Sequence, residues 1–221
     1  VLMISDAWSS SNGWEFSDSE ISAVKVAVSM GYGIIGTSGT FDSANAPNNM
    51  KLAPIFGLNE SVEGYWADTV TTISAVNYSH YIFNNLPPSF QIGYGYACVG
   101  LVNDSAKIIG ETDSGQSTGL KGILTENRYG GGVAIYIPYM TEVMYANSYD
   151  LILLYNSIFY VYNNSARPTV DMAAVGIYTD KEWVRPGKVI NVTVKCFNAG
   201  NTTGTANATL YAIYEDNTQV I

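Results

Sequence analysis

The residues at positions 17–38 have the sequence SDSEISAVKVAVSMGYGIIGTS, and this stretch decides the fold of the first part of the chain. Ser17 and Glu20 have the spacing of a capping box, in which each side chain accepts a hydrogen bond from the other residue's backbone amide. Apolar residues then recur every three or four positions, which predicts a helix over residues 18–30. Glycines end this helix, and the apolar run at 33–38 predicts a strand directly after it.

The segment before this helix completes the pattern. Residues 1–6 (VLMISD) form a short apolar run that ends in a polar residue, as buried parallel strands do. A strand, a helix and a second strand in this order form a β-α-β unit, whose crossover is right-handed in nearly all known cases. The beginning of the chain therefore predicts an α/β domain.

Four later segments extend this first domain. Residues 68–75 and 91–102 each predict a strand, and residues 123–138 predict a β-hairpin. Residues 149–162 are apolar on most faces, and their length and their place before a linker predict a buried helix. We place the first domain at residues 1–165.

The pattern changes after a short linker. Residues 170–178, 189–197 and 208–214 alternate between apolar and polar with period two, and turn-forming residues separate them. In the middle segment Asn191 falls on the face that points to solvent. Residues 169–221 therefore predict part of an immunoglobulin-like β-sandwich.

The composition limits the classes of function. Hydrophobic residues make up 47% of the chain, which is typical of a folded protein, whereas charged residues make up only 13%. A net charge of −9 argues against binding to nucleic acid and to anionic membrane surfaces. The most apolar stretch, residues 151–162, is too short to span a bilayer and contains Asn156, so we predict no membrane insertion of this segment.

Acceptor sequons for N-linked glycans indicate the compartment. Seven Asn-x-Ser/Thr triplets occur, where the composition alone predicts roughly three. The alternative is that a chain rich in asparagine and threonine produces them by accident. We predict an extracellular or cell-surface glycoprotein, with candidate glycosylation at Asn59, Asn77, Asn103, Asn163, Asn191, Asn201 and Asn207.

Several segments occur in the order and spacing of a known superfamily. They are the strand at 1–6, residues 26–41, the LAPIFG segment at 52–57, residues 80–87, and residues 128–139 with the helix that follows. In these segments the first 165 residues resemble the class I glutamine amidotransferase-like superfamily, in particular its trehalose-utilisation-protein branch. The resemblance implies a flavodoxin-like doubly wound sheet.

The second part resembles the cell-adhesion-related β-sandwich modules of bacterial and archaeal surface proteins. The resemblance rests on Arg185-Pro-Gly187, on the valine-rich strand after it, and on Asn198-Ala-Gly-Asn201. Only part of such a module is present, and the missing strands would leave an open edge and an uncovered core face. We expect either that the natural chain continues past Ile221 or that another subunit donates a strand.

Catalytic residues are not visible in the sequence. Amidotransferases use a cysteine on a strand-to-helix turn, activated by a histidine that a glutamate orients. Ser38 occupies this turn by its position after the second strand, and it would need a general base. The single histidine, His80, belongs by resemblance to a segment that precedes a Leu-Pro turn, not to a catalytic pair.

Metal and cofactor sites are not visible either. One histidine and two cysteines cannot form a zinc site by themselves, and the carboxylates lack the spacing of a calcium loop. We predict no metal and no cofactor. Cys98 and Cys196 either form one bridge between the domains or are two separately buried thiols.

The remaining candidate is a ligand crevice at the carboxyl ends of the parallel strands, where open α/β sheets bind ligands. A carboxylate beside tryptophan rings would suit a sugar, and the alternative is that the tryptophans cover the core. The candidate crevice residues are Asp6, Trp8, Trp14, Thr37, Ser38 and Glu111.

Three hypotheses for the function follow. The first is a non-catalytic structural or adhesive component of a surface layer or filament, which associates with itself or with neighbouring surface subunits. The second is a carbohydrate-binding module of a larger secreted protein. The third is a hydrolase that uses Ser38 as its nucleophile.

Overall fold

The structure is a computed structural model, and it describes twelve stretches of the chain. The chain divides into two compact units, Val1–Arg167 and Pro168–Ile221. The described residues are 1–5, 15–41, 46–60, 66–99, 102–103, 105–166, 172–182, 188–198, 200, 203–205, 211–213 and 218–220.

The first unit is a mixed α/β structure. Its described strands and α-helices are β1 (Leu2–Ile4), α1 (Asp18–Ser29), β2 (Ile34–Thr37), β3 (Trp66–Thr69), β4 (Thr72–Ala75), β5 (Ser89–Gln91), β6 (Tyr96–Val99), β7 (Lys107–Ser114), β8 (Lys121–Tyr129), β9 (Gly132–Ile137) and α2 (Ser148–Asn164). Short 3₁₀ helices occupy Ser38–Phe41, Pro47–Phe56 and Tyr81–Phe83.

Helix α1 begins with the capping box that the sequence predicts. The Ser17 Oγ accepts a hydrogen bond from the Glu20 amide at 3.4 Å, and the Glu20 carboxylate accepts one from the Ser17 amide at 2.8 Å. The helix ends before Gly31, whose φ of 112° is a backbone conformation that favours glycine. The predicted helix and the strand after it are both confirmed.

Seven strands form the main sheet, in the order β1-β2-β9-β8-β7-β4-β5. Strands β1, β2 and β9 are parallel, with Leu2 opposite Ile34 and Ile34 opposite Ala134. The other neighbours pair antiparallel, which confirms the predicted hairpin of β8 and β9. The parallel part expected of a doubly wound sheet is therefore limited to three of the described strands.

The two faces of this sheet carry two separate cores. Ile34 of β2 belongs to the core that α1 and the 3₁₀ helix Pro47–Phe56 cover, and its neighbour Ile35 belongs to the core that α2 covers. Side chains of β9 alternate in the same way, so that Tyr136 lies in the core covered by α1 and Ile135 lies in the core covered by α2. The sheet is thus covered by helical structure on both faces.

Two segments that we predicted as single strands are each divided, and this part of the prediction is wrong. Segment 68–75 breaks between β3 and β4 because the Asp113 carboxylate accepts hydrogen bonds from the Thr71 and Thr72 amides. Segment 91–102 breaks at Gly95, whose carbonyl accepts a bond from the Val70 amide at 2.6 Å. Strands β3 and β6 pair with each other instead of joining the main sheet.

Helix α2 lies where we predicted a buried helix, but it is buried on one side only. Asn147 caps it and Asp150 completes the capping box, while Leu153 and Val161 are buried against the sheet. Side chains on the opposite side of the helix are exposed. Its exposed apolar side chains are Leu151, Tyr155, Ile158, Phe159 and Tyr162.

The second unit consists of antiparallel strand pairs in its described residues. Strand β10 (Met172–Thr179) pairs with β11 (Val192–Asn198), and β12 (Tyr211–Ile213) pairs with β13 (Thr218–Val220). Asn191 is exposed, as predicted. Cys196 is a free and exposed cysteine, so it forms no bridge with Cys98 and is not a buried thiol, and both predicted alternatives are wrong for this residue. The immunoglobulin-like sandwich itself stays a prediction.

No helix among the residues that the structure describes is long and apolar enough to cross a membrane.

We expect Gly33→Ala to destabilise the first unit. A Cβ at this position would lie 2.0 Å from Val161 Cγ1 and 3.0 Å from the Val161 carbonyl oxygen, so α2 or β2 must shift. Overpacking of this kind costs about 1–3 kcal/mol of unfolding free energy, measurable by urea denaturation. In a Val161→Ala background the added loss should be smaller, since the nearest clash is gone. An equal loss in both backgrounds would contradict the proposed clash.

Candidate functional site

The carboxyl ends of the three parallel strands lie at one edge of the sheet, and polar side chains meet there. Thr37 is the last residue of β2, and its Oγ1 donates a hydrogen bond to Glu142 Oε1 at 2.5 Å. Thr141 Oγ1 donates to the other oxygen of the same carboxylate at 3.3 Å. The segment after β9 therefore places a carboxylate over the end of β2.

Ser38 is buried and held by hydrogen bonds at this edge. Its Oγ donates to the Tyr96 carbonyl at 3.2 Å, and its own carbonyl accepts from the Tyr136 hydroxyl at 3.2 Å. Thr40 Oγ1 lies 2.7 Å from the Thr37 carbonyl and 3.1 Å from the Ile4 carbonyl. These bonds tie the turn after β2 to β1, β6 and β9, so Ser38 is not displayed as an exposed nucleophile would be.

His80 is buried and belongs to a different cluster. Its Nδ1 accepts a hydrogen bond from the Ile82 amide at 3.4 Å, so in the neutral ring the proton is on Nε2. This Nε2 faces Glu126 Oε2 at 3.2 Å, and the Tyr160 hydroxyl donates to Glu126 Oε1 at 2.6 Å. Lys107 Nζ lies 3.5 Å from the same carboxylate. The cluster links β8, the turn at His80 and α2.

Sheet register places this cluster far from Ser38. Glu126 pairs with Ile135 of β9, which pairs with Ile35 of β2. Strand β8 is thus two strands, or about 10 Å, from β2, and Ser38 is three residues further along, about another 10 Å. Both ring nitrogens of His80 have partners in its own cluster, and the register puts the ring beyond hydrogen-bond reach of Ser38.

The structure brings together only part of the predicted crevice. Thr37 and Ser38 adjoin at the end of β2, whereas Glu111 lies in β7, three strands away, with Lys121 at 2.5 Å. Asp6, Trp8 and Trp14 lie outside the described residues. Sequence reasoning missed Glu142, although its position just beyond the predicted strand at 133–138 could have indicated it.

An open cavity lies at the N-terminal end of α1. It has a volume of about 530 Å³, and the Phe16 ring forms part of its wall. Its polar groups are held together, because the Asn48 amide donates to Glu15 and Asn48 Nδ2 donates to the Phe16 carbonyl. The lining residues are Glu15, Phe16, Ser17, Glu20, Pro47 and Asn48.

The predicted sequons differ in accessibility. Asn163, in the last turn of α2, and Asn191 are exposed. Asn59, Asn77 and Asn103 are half-buried, and Asn103 Nδ2 donates to the Leu58 carbonyl at 3.0 Å. The remaining two, Asn201 and Asn207, fall outside the described residues.

Metal-binding geometry is not found in the part of the chain that the structure describes. No group of three or more histidine, cysteine, aspartate or glutamate side chains is arranged there to hold an ion.

Residues 3–166 match the model of the family described as the lacto-N-biose phosphorylase central domain. The chain belongs to this family. The match covers nearly all of the first unit and none of the second. No curated protein sequence is significantly similar to the chain.

Several solved structures are similar in fold to this chain. A ThuA-like protein from Parabacteroides merdae has a TM-score of 0.51 at 12% identity, over 75% of this chain and 72% of that one. A cytoplasmic protein from Salmonella typhimurium has a TM-score of 0.49 at 13% identity. That match covers 67% of this chain and 62% of the Salmonella protein. A β-galactosidase from Bacillus circulans sp. alkalophilus has a TM-score of 0.45 at 14% identity. That match covers 80% of this chain and 24% of the β-galactosidase. The likeness to the Parabacteroides merdae protein shows an amidotransferase-like, ThuA-like α/β fold.

The Glu126 cluster predicts how stability depends on pH. The hydrogen bond from His80, with smaller contributions from Tyr160 and Lys107, lowers the pKa of Glu126 to about 2 against the opposing effect of burial. A carboxylate whose pKa is lowered on folding stabilises the folded protein at pH values above its ordinary pKa of 4.5. This stabilisation is lost as the pH falls from 4.5 towards 2.

We expect Glu126→Gln to lower the unfolding free energy at pH 7 and to flatten its decline between pH 5 and pH 2. Urea denaturation at several pH values measures both effects. Glu111→Gln is the matched control, because Glu111 is more exposed and its ion pair with Lys121 lies at the surface. Identical pH profiles for wild type and Glu126→Gln would show that the cluster does not contribute.

Proposed function

We propose that this chain is a non-catalytic, extracellular component of a cell-surface glycoprotein, structural or adhesive, which assembles with copies of itself or with neighbouring surface subunits. The surroundings of His80 and Ser38 are the main support for the proposal that the chain is not catalytic. His80, the only histidine in the sequence, is buried against Glu126 and Tyr160, and the Ser38 hydroxyl donates to the Tyr96 carbonyl. A serine nucleophile requires a base within hydrogen-bond reach, and His80 is engaged elsewhere.

Two features support a place at the cell surface. Asn163 and Asn191 combine an acceptor sequon with an exposed position, so a glycan could be attached without unfolding the chain. Charged residues make up only 13% of the chain, which suits a protein covered by neutral glycans or by neighbouring subunits.

A second candidate is a carbohydrate-binding module of a larger secreted protein. The family takes its name from a phosphorylase of lacto-N-biose, a sugar, and this favours a carbohydrate as the ligand. The cavity beside α1 combines the Phe16 ring with the carboxylates of Glu15 and Glu20, a set that can stack on a sugar and accept its hydroxyl hydrogens.

We expect glycans on the two exposed sequons when the protein is isolated from its natural host. Peptide mass spectrometry should find added hexose-type mass on the peptides that contain Asn163 and Asn191, and Asn163→Gln should remove one of them. Asn164→Gln is the control, since Asn164 adjoins the acceptor but heads no sequon. Unmodified asparagine at both sites would contradict the glycoprotein assignment.

One incubation separates the three functions. The chain is mixed with lacto-N-biose and inorganic phosphate, while tryptophan fluorescence and released sugar are followed. We expect neither signal to change. A saturable fluorescence change without turnover, abolished by Phe16→Ala, would favour the carbohydrate-binding module. Turnover that Ser38→Ala abolishes would overturn the non-catalytic assignment.

A further inference from the structure

Two exposed tyrosines, Tyr94 and Tyr145, lie beside each other in the first unit, and we call them the tyrosine pair. Their ring centroids are 6.1 Å apart, and their planes differ by 19°. Tyr94 is 39% exposed and Tyr145 is 63% exposed. At this separation the rings are offset and not face to face, so together they cover a wider area than one ring does.

The tyrosine pair lies on two loops at the edge where the parallel strands end, which is where open α/β sheets bind ligands. Tyr94 precedes Tyr96, whose carbonyl accepts the hydrogen bond from Ser38 at the end of β2. Tyr145 is in the segment that follows β9, shortly after Glu142, which contacts the end of β2. The pair therefore adds an aromatic surface to the polar edge described above.

A buried carboxylate joins the two loops. Asp150 is fully buried, and its Oδ2 accepts hydrogen bonds from the Gly93 amide at 2.8 Å and from the Asn147 amide at 2.8 Å. Gly93 directly precedes Tyr94, and Asn147 follows Tyr145 by two residues. Burying a charge is costly unless hydrogen bonds compensate it, so this carboxylate holds both loops in their positions.

Close packing holds the Tyr94 loop on both sides. A Cβ at Gly93 would lie 2.1 Å from the Tyr145 carbonyl oxygen, so the two loops are in direct backbone contact. On the other side, the Gly95 carbonyl accepts a hydrogen bond from the Val70 amide at 2.6 Å. The backbone that carries the tyrosine pair is thus held in place, which limits the conformational freedom that a ligand would remove on binding.

The chemistry of these loops favours a neutral ligand. Residues 92–96 and 143–149 contain no charged side chain, so an ionic ligand has no partner in them. The charged groups at the borders of the second loop, Glu142 and Asp150, are carboxylates and disfavour an anion. What remains is the tyrosine ring itself, an apolar plane with a hydroxyl at its edge.

The area of the tyrosine pair indicates a small ligand. A stable protein contact buries about 800 Å² on each partner, whereas a fully covered aromatic side chain buries only about 150–250 Å². Two partly exposed rings are therefore sized for a small ligand and not for a protein.

A sugar has the matching chemistry. One face of a pyranose ring consists of C–H groups that pack on an aromatic plane, and its rim consists of hydroxyls that exchange hydrogen bonds with a phenol. Because the pair is wider than a single ring, it suits adjacent sugar residues of an oligosaccharide.

We propose that the tyrosine pair binds a neutral oligosaccharide, whose sugar rings stack on Tyr94 and Tyr145. The proposal rests on the proposed adhesive role at the cell surface, and it identifies the binding surface and the class of ligand. The cavity at α1, whose wall includes Phe16, shares no lining residue with the tyrosine pair.

The test uses the whole chain, residues 1–221, fluorescently labelled and applied to an array of neutral and acidic glycans. We expect binding to neutral oligosaccharides longer than a disaccharide. Calorimetric titration with the neutral glycan that binds most strongly then gives a dissociation constant for each variant. Tyr94→Ala and Tyr145→Ala should each raise this constant about 10-fold or more, because each removes one of the two stacking surfaces.

Two kinds of control accompany the alanine variants. Tyr94→Phe and Tyr145→Phe keep the rings and should retain most of the affinity. Tyr155→Ala should bind like wild type. Tyr155 is 59% exposed and lies 4.8 Å from the Phe159 ring, so it is an equally exposed ring of an aromatic pair, but it belongs to α2. Circular dichroism verifies that each variant is folded.

The outcomes separate glycan binding from the general proposal. A folded wild type that binds no neutral glycan of the array would overturn the inference, and so would binding that both alanine variants retain. Sedimentation velocity measures the proposed self-assembly independently, so either property can fail while the other stands. Self-association that Tyr145→Ala abolishes would identify a second copy as the occupant and overturn the inference.

Discussion

Strand β2 is buried on both of its faces, and the organisation of the first unit depends on this constraint. Ile34 and Ile35 are both fully buried, but they point into different cores. Because neighbouring side chains of a strand point to opposite sides, the chain must supply a cover for each face. Helix α1 and the 3₁₀ helix Pro47–Phe56 provide one cover, and α2 provides the other.

Elements whose pattern is local could be predicted from the sequence. Helix α1 was predictable because its capping box and its apolar period lie within thirteen residues. The hairpin of β8 and β9 was predictable for the same reason. The break between β3 and β4 was not, because the Asp113 carboxylate that holds it is about forty residues away in the chain. Bonds between distant segments leave no periodic signal in either segment.

In the candidate site, too, local features could be predicted from the sequence and contacts between distant segments could not. The position of Ser38 at the end of β2 followed from the strand pattern and the resemblance to amidotransferases. Its bond to the Tyr96 carbonyl could not be predicted, and neither could the position of Glu142 beside Thr37, since both depend on how separate segments fold together. The family was also missed, because the resemblance rested on features of the fold that several families share. The likeness to the ThuA-like protein shows that shared fold, and the family model is more specific.

The close approach at Gly33 has a consequence for ligand binding. Because Val161 and Ser165 of the α2 end lie against the Gly33 backbone, and the Ser165 hydroxyl accepts a bond from the Val133 amide, the helix cannot slide along its axis. The backbone of the helix is therefore held in place relative to the sheet. Because Asp150 of this helix joins the two loops of the tyrosine pair, binding there costs little backbone entropy, and the loss of freedom is confined to a few side chains. Aromatic side chains have only two rotatable bonds, so even that loss is small.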